Sequence, residues 1–220
     1  MNTSAQSPGK LGAAGRGCLA IAGVLLLLGI ILGGCGVSQY NALVGAQKEV
    51  EGRWADIDNM YKRRFDLIPN LVETVKGAAN FEKSTLEAVT EARASVGRMQ
   101  LPPGLPTDPA ALDAYIRAQQ SLSGALGRLF AVAESYPELK ATQNFLSLQD
   151  QIEGTENRIA VARTDYIAAA QKFNTLRARF PTVLFATLFN FREAAQFQAT
   201  PEERAAPKVE FDFKNEKKQG

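Results

Sequence analysis

The sequence predicts an all-α protein: an N-terminal membrane helix followed by an up-and-down four-helix bundle with long helices. Three observations carry that expectation. An uncharged apolar run fills positions 17–37. Beyond it, apolar residues return every three, four or seven positions, as one face of an amphipathic helix must. Prolines divide this pattern into four stretches, and only a short segment near the C-terminus alternates with the period of a strand.

The first element is the anchor. Twenty-one residues at 1.5 Å each rise about 30 Å, the thickness of a bilayer's hydrocarbon core. Lys10 and Arg16 precede the run, and no acid occurs before Glu49. That asymmetry holds residues 1–16 in the cytoplasm and sends the rest across the cell membrane, giving a single-pass protein with an extracytoplasmic C-terminal domain. Gly29 and Gly33 form a small-xxx-small face of the kind that supports helix pairing. A second version of the anchor is a cleaved signal ending at Leu32-Gly33-Gly34-Cys35, which resembles a bacterial lipobox and makes Cys35 a candidate lipidation site.

The bundle occupies residues 38–200. Its first helix carries Leu43, Val50, Trp54, Ile57, Tyr61, Phe65 and Ile68 on one face. Pro69 lacks an amide donor and disfavours a helical residue before it, so a bend or restart is expected there, with Asp66 placed to cap the new helix. The second helix runs from Leu71 through Val75, Val89 and Val96 and fades near Met99. Residues 101–109, with prolines at 102, 103 and 106, form a stiff loop. Asp108-Pro109 starts the third helix, a capping side chain followed by a proline in the first turn. That helix continues through Leu112, Ile116, Leu122 and Leu129 to Ser135-Tyr136-Pro137. The fourth is the longest: Phe145, Ile152, Ile159, Tyr166, Phe173 and Phe180 keep a heptad-like, coiled-coil spacing until Pro181. Residues 201–220 are expected to be a loosely held tail, although 207–213 alternate like a strand.

Composition narrows the chemistry. The 220 residues contain no His, which removes the usual general base, the commonest zinc ligand and the histidines of di-iron bundles. Both cysteines, Cys18 and Cys35, lie in the apolar run, so the folded part has no thiolate. No pair of carboxylates stands out as a hydrolytic dyad. No catalytic residue, cofactor or metal site is therefore expected. The chain's net charge of +2 resides in Lys10 and Arg16, and the exported part is balanced. With signs interspersed, no basic stripe exists for nucleic acid.

Several blocks resemble the LemA family. Lys62-Arg63-Arg64-Phe65-Asp66-Leu67-Ile68-Pro69-Asn70-Leu71-Val72-Glu73-Thr74-Val75-Lys76-Gly77 is similar to its signature. Ala133-Glu134-Ser135-Tyr136-Pro137-Glu138-Leu139-Lys140, Gln143-Asn144-Phe145 and the block from Glu153 to Arg163 follow in the family's order. The resemblance spans about Tyr40 to Phe197 and implies a bacterial, N-terminally anchored, up-and-down helical bundle; it supplies no reaction. This chain departs from the pattern at Ala78 and Phe81, where the family usually has Tyr and His, at Ile167, and at Thr182-Val183.

Two groups of residues are candidate sites. Arg63, Arg64, Asp66 and Asn70, with Glu156, Asn157 and Arg163 on the fourth helix, form either a ligand or partner site or polar layers that fix helix register. Phe185, Phe189 and Phe191 belong to the charge-free segment 180–191, which holds four Phe and either packs over the bundle or docks on a membrane protein or the bilayer. The expected partners are the membrane and other envelope proteins; oligomeric state is left open. A non-catalytic scaffold or adaptor is the first functional expectation, a lipid-contacting structural protein the second and an enzyme the third.

Overall fold

The computed structural model describes residues 13–99, 101 and 104–197. The flank before Ala13 and the strand-like tail expected at 207–213 lie outside these residues. Among the described residues six helices follow one another: α1 (Ala13–Lys76), α2 (Lys83–Arg98), α3 (Pro109–Ala133), α4 (Pro137–Lys140), α5 (Gln143–Ala178) and α6 (Thr182–Leu188). No strand occurs among the described residues. The protein is all-helical with an apolar N-terminal helix.

α1 is one helix of 64 residues, about 96 Å long, and it passes through Pro69 without restarting. The expected restart at Pro69 is therefore corrected, as is the capping role of Asp66, which is an exposed residue in the helix interior. The physical reason lies on another helix. Pro69 leaves the carbonyl of Phe65 without its helical donor. Arg93 of α2 donates its Nε–H to that oxygen at 3.4 Å and lays its guanidinium 3.9 Å from the centre of the Phe65 ring. The chain turns eight residues later instead, at 77–82, where Gly77 ends the helix and Asn80 adopts a left-handed φ of 62°. Leu71, Val72 and Val75 consequently belong to the end of α1, and α2 is short.

α3 starts as its sequence dictates: Asp108 accepts hydrogen bonds from the amides of Ala110 and Ala111 at 2.9 and 3.2 Å, and Pro109 fills the first turn. α5 extends for 36 residues, about 54 Å, and lies antiparallel to α1, with Lys172 paired to Glu49 at 2.8 Å.

Two apolar clusters form the core. The one nearer the turns joins Ile68, Leu71 and Val75 of α1, Val89 and Val96 of α2, Leu122, Leu126 and Leu129 of α3, and Phe145 and Ile152 of α5. The other is built from α1 and α5, with Leu112, Tyr115 and Ile116 from the start of α3. α2 does not reach this second cluster; Ala186 of α6 and Ala194 and Ala195 of the segment after it close it instead. That segment is irregular but well held. Tyr166 donates to the Ala195 carbonyl at 2.6 Å, Asn174 exchanges two 2.9 Å bonds with Ala194, and the Ala195 amide reaches the Pro106 carbonyl at 2.8 Å.

Residues 21–31 stand clear of both clusters with their apolar side chains exposed. The helix that carries this stretch is long and apolar enough to cross a membrane, by length and composition.

Candidate functional site

Arg64 lies between the two apolar clusters and is only 1% exposed. It sits on the buried face of α1 because it follows Ile57 and Tyr61 and precedes Ile68 at helical spacing, all of them buried. The apolar periodicity alone places Phe65 there, but Phe65 is half-buried and turns toward α2. A guanidinium so placed must find acceptors. Its Nη1 donates to the Glu156 carboxylate of α5 and, at 2.6 Å, to the Ser123 hydroxyl of α3; its Nη2 donates to the side-chain oxygen of Gln119 and, at 3.3 Å, to its carbonyl. Ser123 in turn lies 3.2 and 3.3 Å from the two Glu156 oxygens. One charged group thus ties α1 to α3 and α5.

An aromatic layer borders this network. Trp54 packs edge-on against Tyr166 and Tyr115, and Tyr61 against Tyr115. Burial raises the Tyr61 hydroxyl above its ordinary range despite the nearby Arg163 and Arg64. Burial, followed by the charge of Asp58, pushes Tyr115 up to about 12. These hydroxyls stay neutral through any physiological pH.

The other sequence candidates do not join Arg64 and Glu156. Arg63 is exposed, and so is Asn70, whose carbonyl accepts from the Thr74 hydroxyl at 2.8 Å. Asn157 is exposed and lines a shallow hollow with Asp56, Met60 and Val161. Arg163 is half-buried, with its guanidinium 4.9 Å from the ring centre of Phe197. Among the described residues, no three of Asp, Glu and Cys converge as a metal cage would require.

Of the phenylalanines, Phe185 and Phe191 are half-buried against the cluster that α6 closes. Phe189 is half-exposed, its ring 4.9 Å from that of Tyr40. Cys35 is a free, exposed side chain within the continuous α1.

The sequence pattern does not anticipate what happens at the turn end. Residues 76–81 and 135–139, far apart in the chain, meet there. The Tyr136 hydroxyl donates to the Asn80 carbonyl at 2.9 Å, and the Phe81 and Tyr136 rings lie 4.9 Å apart. Open hollows flank this pair, one of them bounded by Thr74, Gly77, Tyr136 and Glu138. A signal is present in the turn residues Gly77 and Asn80, but Pro69 outweighs it.

These two converging blocks fall inside residues 53–211, the stretch matched by the model of the LemA family. The chain belongs to the LemA family. Among its relatives, Magnetosome protein MamQ 2 of Paramagnetospirillum magneticum is 25% identical over 212 residues, covering 89% of this chain and 77% of the relative. Protein LemA of Metamycoplasma hominis is 29% identical over 168 residues, covering 76% and 73%. The LemA match includes all of α2, α3 and α5 together with the part of α1 that carries Arg64.

Proposed function

We propose that this LemA-family chain is an extracytoplasmic scaffold or adaptor, anchored in a bacterial cell membrane by α1, which binds other envelope proteins and catalyses no reaction of its own. Its packing is best read as an up-and-down four-helix bundle made from α1, α2, α3 and α5. The observation that carries the proposal is the continuity of α1. From Val37 to Lys76 the helix rises about 58 Å, so the Phe81–Tyr136 end stands well clear of the bilayer on a rigid post. The buried charge is held by protein groups on three helices, which supports a structural role for Arg64 and Glu156 and leaves the surface for recognition. The anchor is retained in this reading; a mature chain with lipid on Cys35 would be tethered on the same side.

Photo-cross-linking in intact cells tests it. A cross-linker at Glu138 or Thr142, both exposed at the far end, is expected to give discrete adducts with other envelope proteins. A chain released by alkaline carbonate, or one giving no protein adducts from any exposed position, would overturn the proposal.

A further inference from the structure

Phe180 stands in the turn two residues before α6, and Leu184 and Leu188 lie four residues apart on the helix itself, where they form one stripe. The three are 81%, 60% and 74% exposed, as open as the apolar run of α1 itself. The stripe has a definite position. Phe185, on the other side of α6, packs so closely on α1 that a Cβ at Gly36 would come within 3.0 Å of its ring. The Thr182 hydroxyl donates to the Gln39 side chain at 2.7 Å. Tyr40 sits against Phe189 and Phe191, with ring centres 4.9 and 5.8 Å away. α6 is therefore fixed level with Gly36–Tyr40, where the apolar run ends. From the middle of that run, near residue 27, to Gly36 the helix rises about 13 Å, close to the half-thickness of a bilayer's hydrocarbon core, about 15 Å.

We propose that α6 is an interfacial membrane contact: Phe180, Leu184 and Leu188 enter the acyl–headgroup boundary of the leaflet from which α1 emerges, with Tyr40 and Phe189 beside them. Three further features select lipid as the occupant. No charge occurs from Phe180 to Phe191, while Arg179 and Arg192 stand exposed at either end, as suits acyl chains below and anionic headgroups around them. An aromatic pair at the exit of a spanning helix matches the composition of a membrane interface. α6 is packed on α1 just where the exposed run ends, so a bilayer that surrounds the run has its boundary beside α6. With contacts at both α1 and α6, the bundle is held at a set tilt instead of swivelling on one helix. The inference rests on the anchor reading above.

The test uses the full chain with Cys18→Ser and Cys35→Ser, carrying single Leu184→Cys or Leu188→Cys substitutions labelled with an environment-sensitive fluorophore. It is reconstituted in phosphatidylethanolamine–phosphatidylglycerol vesicles. Leu27→Cys and Glu138→Cys report the span and the far end. Labels at 184 and 188 are expected to be blue-shifted, quenched by doxyl lipids and shielded from iodide, like the label at 27 and unlike that at 138. Iodide quenching at 184 and 188 with a lipid-embedded 27 would overturn the inference and leave the anchor standing. Shielding from both quenchers would overturn it in favour of a protein occupant. An iodide-accessible label at 27 would overturn the anchor itself, and the interfacial contact with it.

Discussion

Arg64 shows why residue type alone does not separate a site from a structural pair. In sequence it is one of two adjacent arginines; helical phase then buries one and exposes the other. Which acceptors it finds was not legible, because Gln119, Ser123 and Glu156 come from helices 55 to 92 residues away. Removing one member of a buried ion pair leaves the other uncompensated. Arg64→Ala is therefore expected to destabilise the bundle by about 3 kcal/mol, the low end of the usual range because the Glu156 side chain is 34% exposed. Chemical denaturation measures it; a loss within experimental error would mean the network is not structural. Tyr115 makes a second prediction. Its hydroxyl ionises at about 12 in the folded protein and near 10 in the unfolded chain, so the folded state binds the proton more tightly. That stability is fully present below about pH 10 and is lost as the pH rises to about 12. Tyr115→Phe is expected to make denaturation midpoints fall less steeply across that window, and an unchanged slope would count against the burial of this hydroxyl.

Elements whose signals are local were legible, and those settled by a neighbour were not. Asp108-Pro109 specifies the start of α3 within four residues, and the structure reproduces it. Pro69 is a local signal of the opposite kind, overridden because Arg93 from α2 takes the carbonyl that the proline frees. The two residues should therefore be coupled. Pro69→Ala restores the helical amide to the Phe65 carbonyl and is expected to stabilise the protein, since a proline within a helix costs up to about 3 kcal/mol. Arg93→Met should then cost less in the Pro69→Ala background than in the parent. A double-mutant cycle with no coupling would show that Arg93 does not compensate for the proline. α6 divides along the same line: its apolar character was evident, whereas the allocation of Phe185 to packing and Leu184 to the surface depends on contact with Gly36.

At the scale of the whole molecule, one helix serves as both apolar span and bundle member. The core begins at Leu43, and every described side chain from 21 to 31 is exposed. A fragment beginning at Ser38 is accordingly expected to remain helical, to melt cooperatively and to stay in the aqueous phase of a detergent partition that retains the full chain; an unfolded fragment would place part of the core in the anchor. The family and the all-helical class were legible because the long blocks and the periodicity persist over most of the chain. The function was not, and surfaces such as the Phe81–Tyr136 end are assembled from distant segments. The central claim is that the polar network builds the scaffold and that the surface does the binding. Its most direct test is cross-linking at Glu138 in a chain carrying Arg64→Met, Gln119→Leu and Glu156→Met together. These changes remove the network as a unit, while Ser123 keeps its bond to the carbonyl of residue 119. The expected result is a folded, anchored protein that gives the parent's envelope-protein adducts. A folded, anchored variant that has lost those adducts would contradict the claim and make the Arg64 network the binding site.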